Sequence, residues 1–277
     1  MTRPAPSAPR RRLSLAALIG VVVVCAVACG APLMKLPPVP PGAAAATDAR
    51  EVYNQATAAC RGLAAFKAEI GVTGSIGGRR LRASLVAGLA APSSVRLEAF
   101  AGSQPIFFFV ARAADATLVI PPPEDRVLQS GPADQVLEAV TGLRVKPEDL
   151  RTTLTGCAPD TAVSGMRALA EDWRIATGEV TSYWRRDPRT GWRLVATVRR
   201  DSAGAEWRAE FQNFMSGLPT AIRLTSSIER RFDLRLAVSL EAAELGDEVF
   251  RLQIRPSARP ITLDELRDAG PLGAPTR

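Results

Sequence analysis

Histidine is absent from all 277 residues of the sequence. This absence excludes Ser-His-Asp and Cys-His catalysis, zinc sites with histidine ligands and haem held by histidine. Two acidic pairs, Glu124 with Asp125 and Glu171 with Asp172, have no nucleophile and neighbouring base beside them and are typical of a solvated surface. The sequence therefore predicts a protein that is not an enzyme and has no catalytic residue, no metal and no cofactor.

Long apolar runs are also scarce, and the one strongly apolar stretch, residues 13–28, has 16 residues. A helix needs about 20 apolar residues to cross a bilayer core, so this run is short for a membrane span. Arginines precede it without any acidic residue, and small residues stand at Ala26 and Ala28. This layout predicts a secretory signal peptide over residues 1–28.

The end of this run resembles the bacterial lipobox, in which a cysteine after small residues is linked to diacylglycerol and becomes the new N-terminus. The matching residue is Cys29, and the resemblance implies a lipoprotein acylated there, for example with palmitate. Ala26 stands where leucine is usual, so a signal peptide without lipid attachment is the alternative. Cys25 fits less well, because valines occupy the positions before it.

Aromatic residues make up 5% of the chain, and no basic cluster is interleaved with them. The formal charge of +7 falls to +3 when the four arginines that precede Leu13 are removed with the signal peptide. The remaining basic residues are spread along the chain, which is not the pattern of a nucleic-acid-binding surface. We expect no nucleic-acid partner.

The two cysteines that follow the signal region and Cys29 are Cys60 and Cys157. An exported protein folds where disulfides form, and neither cysteine has the surroundings of a catalytic thiol. The sequence predicts one disulfide between them, and two buried free thiols are the alternative.

The remaining chain divides into a tether, a folded domain and a tail. Residues 29–47 are rich in proline and alanine, which predicts a semi-rigid tether, and residues 257–277 form the tail. Helical spacing over residues 48–66, 134–141 and 147–154 predicts three helices, and Thr262 with Glu265 forms a capping box that begins a fourth at 262–268. Strand-like patterns predict strands at residues 81–89, 95–100, 106–110, 117–120, 180–185, 192–199, 206–211, 221–228, 232–240 and 250–254, and the segment 106–110 is apolar on both faces.

This order of elements predicts the fold class. Strands that follow one another without intervening crossover helices form antiparallel sheets. We expect a mainly β protein with some α structure over residues 48–256: one strongly curved antiparallel sheet of about eleven strands, an incomplete barrel, covered by short helices.

A short segment between the two groups of strands resembles a known family. The segment contains Val140-Thr141-Gly142-Leu143, Pro147, Asp149-Leu150-Arg151, Leu154 and Gly156, and residues 95–102 with 106–110 resemble a strand pair of the same proteins. The resemblance is to the LolA/LolB outer-membrane lipoprotein-sorting family, closer to its membrane-anchored LolB branch. It implies an open antiparallel barrel, covered by helices, whose apolar hollow receives acyl chains.

The resemblance also places candidate site residues. The predicted lining of the acyl-chain hollow takes the more apolar side of each element, and a dry, sealed core is the alternative. These residues are Leu85, Leu97, Phe108 and Leu118 on strands and Val136, Val140, Leu150 and Leu154 on helices. In LolB a loop between the third and fourth strands projects an apolar residue toward the membrane. The matching residues are Phe100, Ala101, Gly102 and Ile106, with Ala101 where the family has leucine.

The predicted function follows from the family. We expect a lipid-anchored protein of the outer membrane, facing the periplasm, that binds lipid or lipoprotein acyl chains in lipoprotein sorting or insertion. Its expected partners are lipid acyl chains or lipoproteins, the membrane through the anchor, and a periplasmic carrier protein. The alternative is a structural envelope lipoprotein that binds a protein partner through an exposed edge strand or the aromatic residues Tyr183, Trp184, Trp192 and Trp207.

Overall fold

The structure is a computed structural model that describes residues 32–121, 123, 125–142, 144–200, 206–226 and 232–270. The chain forms two units, residues 1–36 and 37–277. The predicted signal peptide, Cys25 and the predicted lipid-attachment residue Cys29 lie outside the described residues. None of the helices within the described ranges is long and apolar enough to cross a membrane.

Fourteen strands in the described part of the chain form one sheet. The strands are β1 Ala65–Ile76, β2 Arg79–Ala90, β3 Ser94–Ala101, β4 Gln104–Arg112, β5 Asp115–Ile120, β6 Arg126–Pro132, β7 Met166–Ala170, β8 Trp173–Ala176, β9 Val180–Asp187, β10 Gly191–Arg200, β11 Glu206–Met215, β12 Leu218–Ser226, β13 Phe232–Ala242 and β14 Arg259–Pro260. Their spatial order is β14-β6-β5-β4-β3-β2-β1-β13-β12-β11-β10-β9-β8-β7. The prediction of one large, curved, unclosed sheet is confirmed, with more strands than the eleven or so expected.

Alternation along each strand gives the sheet one apolar and one polar face. In β1 the buried residues Phe66, Ala68, Ile70 and Val72 alternate with exposed ones. Successive side chains of a strand point to opposite faces, so these four lie together on the inner, concave face. Their partners on β2 and β13 lie on the same face, and the concave face is therefore the apolar core of the domain.

The described helices are α1 Ala49–Ala56, α2 Ala133–Thr141, α3 Pro147–Thr155 and α4 Leu263–Ala269. The two central helices, α2 and α3, match their predicted bounds to within one residue at each end. Both end at a glycine with positive φ, Gly142 at 77° and Gly156 at 68°. A left-handed residue at this position ends a helix cheaply only when it has no Cβ, which explains both glycines of the family-like segment.

Two predicted elements differ from the structure. The helix predicted over residues 48–66 ends earlier: α1 is followed by a 3₁₀ turn, Ala58–Gly62, and Phe66 belongs to β1. Phe66 fits the helical spacing from Val52, but it also begins the alternation of β1. Its pairing with Leu89 and Ala242 places it in the strand. The capping box that begins α4 is confirmed.

The strand predicted at residues 250–254 is wrong. This segment follows a 3₁₀ turn, Asp247–Phe250, and crosses the outer, convex face of the sheet instead of pairing with a strand. Arg96 on β3 donates hydrogen bonds to the carbonyls of Val249 (2.8 Å) and Arg251 (3.1 Å). These bonds satisfy backbone oxygens that a sheet partner would otherwise bind.

Short segments lie at both edges of the sheet. Ala44 and Ala46 exchange backbone hydrogen bonds with Ala168 and Met166 on β7, each at 3.0 Å. At the opposite edge β14 pairs in parallel with β6. Unpaired edge strands are templates for association with another chain, and these segments cover part of each edge.

Candidate functional site

Three of the four strand residues predicted to line the hollow lie on the concave face. The register pairs Leu85 with Ala99 and Leu97 with Phe109, and Phe109 in turn pairs with Leu118. Directly paired residues share a face, so these side chains form one apolar surface across β2 to β5. Leu97 and Leu118 are buried, and Leu85 is half-buried.

Phe108 lies on the opposite face, and its predicted place in the lining is wrong. It pairs with Glu98 and Val119 on the convex face, where its ring is 6.2 Å from that of Phe100 in an edge-on arrangement. The inward positions of β4 are those of Phe107 and Phe109. A shift of one residue exchanges the two faces of a strand. Because three phenylalanines follow one another here, no polar residue indicates which side chains face the concave side.

The predicted helix residues belong to the same core. Val136 and Val140 on α2 and Leu154 on α3 are buried, and Leu150 is half-buried against the core cluster. Helix α2 contacts β5 and β6, while α3 contacts β3 and β12. The two helices therefore cover part of the concave face from well-separated strands.

On β1, β2 and β4, burial of the concave face decreases toward one end of the sheet. We call this the open end; it holds the β1–β2 and β3–β4 turns. Near the opposite end of β1 and β2, Phe66 and Leu89 are almost completely buried. Apolar side chains near the open end are instead half-buried, among them Ile76, Leu81, Ala83, Leu85 and Ile106. Apolar surface on the inner side of the sheet is thus partly accessible at the open end.

An ion pair joins α3 to the sheet. Arg199 on β10 lies 2.6 Å from Asp149 on α3 and 3.1 Å from Glu179, and Glu179 also lies 3.2 Å from Lys146, immediately before α3. Asp149 and Arg199 are largely buried, with side-chain exposures of 20% and 13%. Burial raises the pKa of Asp149, while the charge and hydrogen bond of Arg199 act in the opposite direction.

A second ion pair attaches α1 to the sheet. Both carboxylate oxygens of Asp48, just before α1, accept 2.8 Å hydrogen bonds from Arg174 on β8. These hydrogen bonds hold the pKa of Asp48 below its ordinary value, against the effect of burial. The Arg174 guanidinium also lies 4.7 Å from the centre of the Trp192 ring. Each of these two helices is therefore fixed to the sheet by an acidic residue at its beginning.

Cys60 and Cys157 are joined in a disulfide in the structure, with sulfurs 1.95 Å apart. Cys60 lies in the 3₁₀ turn before β1, and Cys157 follows Gly156 at the end of α3. The bond therefore ties the C-terminal end of α3 to the chain that enters the central strand of the sheet.

The residues predicted to face the membrane form the turn between β3 and β4, at the open end. Ala101 and Gly102 are exposed, whereas Phe100 and Ile106 are half-buried, and Ile106 packs against the core cluster. The tip of this turn carries Gly102 and Ser103 and no bulky apolar side chain. The structure thus brings these four residues together but gives the turn no apolar projection.

The aromatic residues proposed for the alternative function are mostly core residues. Trp184 is fully buried, Trp192 is 5% exposed and Tyr183 is 9% exposed, and Trp207 is packed at the margin of the core. They offer little surface to a partner protein.

A LolA superfamily protein from Nitrosomonas europaea has a similar structure, with a TM-score of 0.50 and 12% sequence identity over 75% of this chain and 99% of that chain. This chain has a LolA-like fold. A DUF1329 family protein from Desulfovibrio piger aligns with a TM-score of 0.45 and 13% identity over 74% of this chain and 98% of its own. A third similar structure is a domain from Vibrio parahaemolyticus that is provisionally named as an outer membrane lipoprotein-sorting protein. It aligns with a TM-score of 0.44 and 12% identity over 73% of this chain and 97% of its own. No protein-family model and no curated protein matches the sequence.

Sequence reasoning missed several residues that matter in this LolA-like fold. Asp149 belongs to the family-like segment, but its buried partner Arg199 does not, and the sequence pattern does not connect the two. The available signal is Arg199, a charged residue at the end of the mostly apolar strand predicted at residues 192–199, since a buried charge needs a partner. Within the described residues no group of three cysteine, aspartate or glutamate side chains is arranged to hold a metal ion.

Proposed function

We propose that this protein is a membrane-anchored lipid-binding protein of the cell envelope that takes acyl chains of lipids or lipoproteins against its concave face. We further propose that it acts in the sorting of lipoproteins to the outer membrane or in their insertion there. The observation that carries the proposal is the row of half-buried apolar side chains at the open end, including Leu81, Leu85 and Ile106.

The chemistry of this surface suits an acyl chain. Apolar contact is non-directional and contributes about 25 cal/mol per Å² of apolar surface removed from water, so binding needs no catalytic group. The residues around Leu85 are aliphatic on three neighbouring strands, with Ile70 on β1 and Ala99 on β3 as its direct partners. A flexible hydrocarbon chain fits such a surface better than a polar ligand does.

The binding proposal is tested with two adjacent residues of β2. Leu85 points to the concave face, whereas Val86 points to the convex face and is 45% exposed. We expect Leu85→Gln to weaken binding of a fluorescent fatty acid roughly tenfold, because about 1.5 kcal/mol of apolar contact is lost. Val86→Gln is the matched control and should bind as the wild type does.

The two variants must first show the circular dichroism spectrum and thermal midpoint of the wild type. Equal binding by the wild type and a folded Leu85→Gln variant would contradict an acyl-chain site at the open end. So would an equal loss in Val86→Gln. Mass spectrometry of lipid extracted from the purified wild type identifies the natural ligand class, and a structural lipoprotein should carry none inside its fold.

The anchor is tested separately. We propose lipid attachment at Cys29, on the basis of the short apolar run and the small residues before it. Labelled palmitate should enter the wild-type chain, and Cys29→Ser should remove the label and release the protein from the membrane fraction or leave it unprocessed. Cys25→Ser is the control and should keep the label. Label that persists in Cys29→Ser would refute this attachment site.

A further inference from the structure

The end of the sheet opposite the open end carries an exposed apolar tip. We call it the tether end; it holds the turns β7–β8, β9–β10 and β11–β12. Met215, at the β11–β12 turn, is 70% exposed, more than any other large hydrophobic residue that the structure describes. Ser216 and Gly217, both with positive φ, form the turn beside it. A tight hairpin therefore presents one flexible apolar side chain to the surroundings.

Aromatic residues and arginines form a row beside this tip, and Arg185, Arg193 and Trp173 of this row lie on the convex face. Arg193 on β10 lies 4.6 Å from the ring centre of Phe214, and Arg185 on β9 lies 5.4 Å from that of Trp173. The register places Arg193 directly opposite Arg185. The order across the strands is thus aromatic, arginine, arginine, aromatic.

Two arginines in direct cross-strand contact repel each other. Arg185 has Asp172 at 3.6 Å, with both side chains about half-exposed, whereas Arg193 forms no ion pair within the described residues. An anion placed between the two guanidinium groups would relieve the repulsion, and phosphate oxygens match the guanidinium fork. Aromatic rings with one apolar and one wet side are typical of the boundary between lipid and water.

Residues 44–46 lie beside the outermost strand β7, near this same end of the sheet. The segment that contains Ala44 and Ala46 runs antiparallel to β7, so the chain before Ala44 points toward the β7–β8 turn. A backbone hydrogen bond from Ala43 to Pro40 closes a turn there.

From these observations we propose that the tether end rests on the membrane that holds the protein's own lipid anchor. Met215 enters the boundary between headgroups and acyl chains, and Arg185 and Arg193 bind phosphate groups of anionic lipids. The open end, with its β3–β4 turn, then points away from the membrane. This proposal rests on the proposed anchor at Cys29. In it the tether end, and not the β3–β4 turn, faces the membrane.

The test uses the full-length chain, purified from membranes and reconstituted in vesicles of three parts phosphatidylethanolamine to one part phosphatidylglycerol. A polarity-sensitive fluorophore is attached to Met215→Cys or, in the matched control, to Ser103→Cys at the exposed tip of the β3–β4 turn. We expect lipids with a nitroxide on a shallow acyl carbon to reduce emission at position 215 by roughly half, as expected for a group at the acyl boundary, and to leave position 103 unchanged.

The charge requirement is tested in the same vesicles. Arg193→Glu, combined with Met215→Cys, should reduce the population in membrane contact about fivefold, since each arginine near an anionic surface contributes on that scale. Arg80→Glu, an exposed change near the open end, should have no effect. Replacement of phosphatidylglycerol by phosphatidylcholine should mimic Arg193→Glu.

Quenching at position 103 that equals or exceeds quenching at position 215 would overturn the proposal, because the open end would then face the membrane. Absence of quenching at both positions would overturn it as well. Palmitate labelling of the same samples reports the anchor independently, and the fatty-acid assay with Leu85→Gln reports the acyl-chain site. Failure of the orientation proposal is therefore distinguishable from failure of the proposed function.

Discussion

Replacement of both Cys60 and Cys157 by alanine should lower the free energy of unfolding by about 2 to 5 kcal/mol. The two cysteines are 97 positions apart, and a bond that closes so long a loop removes much of the conformational freedom of the unfolded chain. Urea denaturation of the purified protein measures the change. A decrease in the denaturation midpoint is the expected result, with a steeper dependence on urea because the unfolded chain without the cross-link exposes more surface.

Reductant provides the control for this experiment. Dithiothreitol should lower the stability of the wild type by about the same amount and leave the double alanine variant unchanged. Titration of two free thiols in the unfolded, unreduced protein would contradict the disulfide. A wild type that is insensitive to reductant would do the same.

Breaking the ion pair between α3 and β10 should lower the free energy of unfolding by a similar amount. Arg199→Leu leaves Asp149 charged in a largely buried place, and breaking such a pair costs about 2 to 4 kcal/mol when some solvent access remains. The double variant Asp149→Leu with Arg199→Leu should return to within about 1 kcal/mol of the wild type, because no buried charge is left. Arg200→Leu, at the exposed neighbouring pair with Glu206, should change stability by less than about 1 kcal/mol.

The stability of Arg199→Leu should also depend on pH in a known direction. Burial already raises the pKa of Asp149, and removal of Arg199 takes away the cation that opposes the increase. A carboxyl whose pKa is higher in the folded state than in the unfolded state binds its proton more tightly when folded, so folding becomes more favourable as pH falls. The stability deficit of Arg199→Leu should therefore shrink between pH 7 and about pH 4.5. A deficit that stays constant over this range would show that Asp149 is not its cause.

The parts of the fold that depend on neighbouring residues were predictable from the sequence. Alternation in β1 to β3 and β9 to β13 follows from the two faces of a sheet, and α2 and α3 are bounded by local signals, with Pro147 at the first turn and glycines at both ends. The open, curved sheet and its covering helices followed from the order of these elements and from the family resemblance.

The remaining features depend on contacts that no local pattern encodes. Phe108 lies in a run that is apolar on both faces, and only pairing with Glu98 and Val119 places it on the convex side. The segment at residues 250–254 has strand-like alternation but lies across the sheet, where Arg96 binds its carbonyls. The partnership of Asp149 with Arg199 joins residues far apart in the chain, so one sequence alone does not reveal it.

The position of β1 in the centre of the sheet governs the order of folding. Strands β1 to β6 each pair with the next strand in the chain, and so do β7 to β13, so both halves can form hairpin by hairpin. The seam between the halves is the pairing of β1 with β13, which joins Phe66 to Ala242 and Ile76 to Phe232. Pairings between such distant strands form slowly.

Until β13 has been made and docked, β1 and β12 are unpaired edges in the middle of the future sheet, and such edges promote association between incomplete chains. A chain that stops before residue 232 would keep them exposed permanently. The edges of β1 and β12 are therefore paired only when nearly all of the domain has been synthesised.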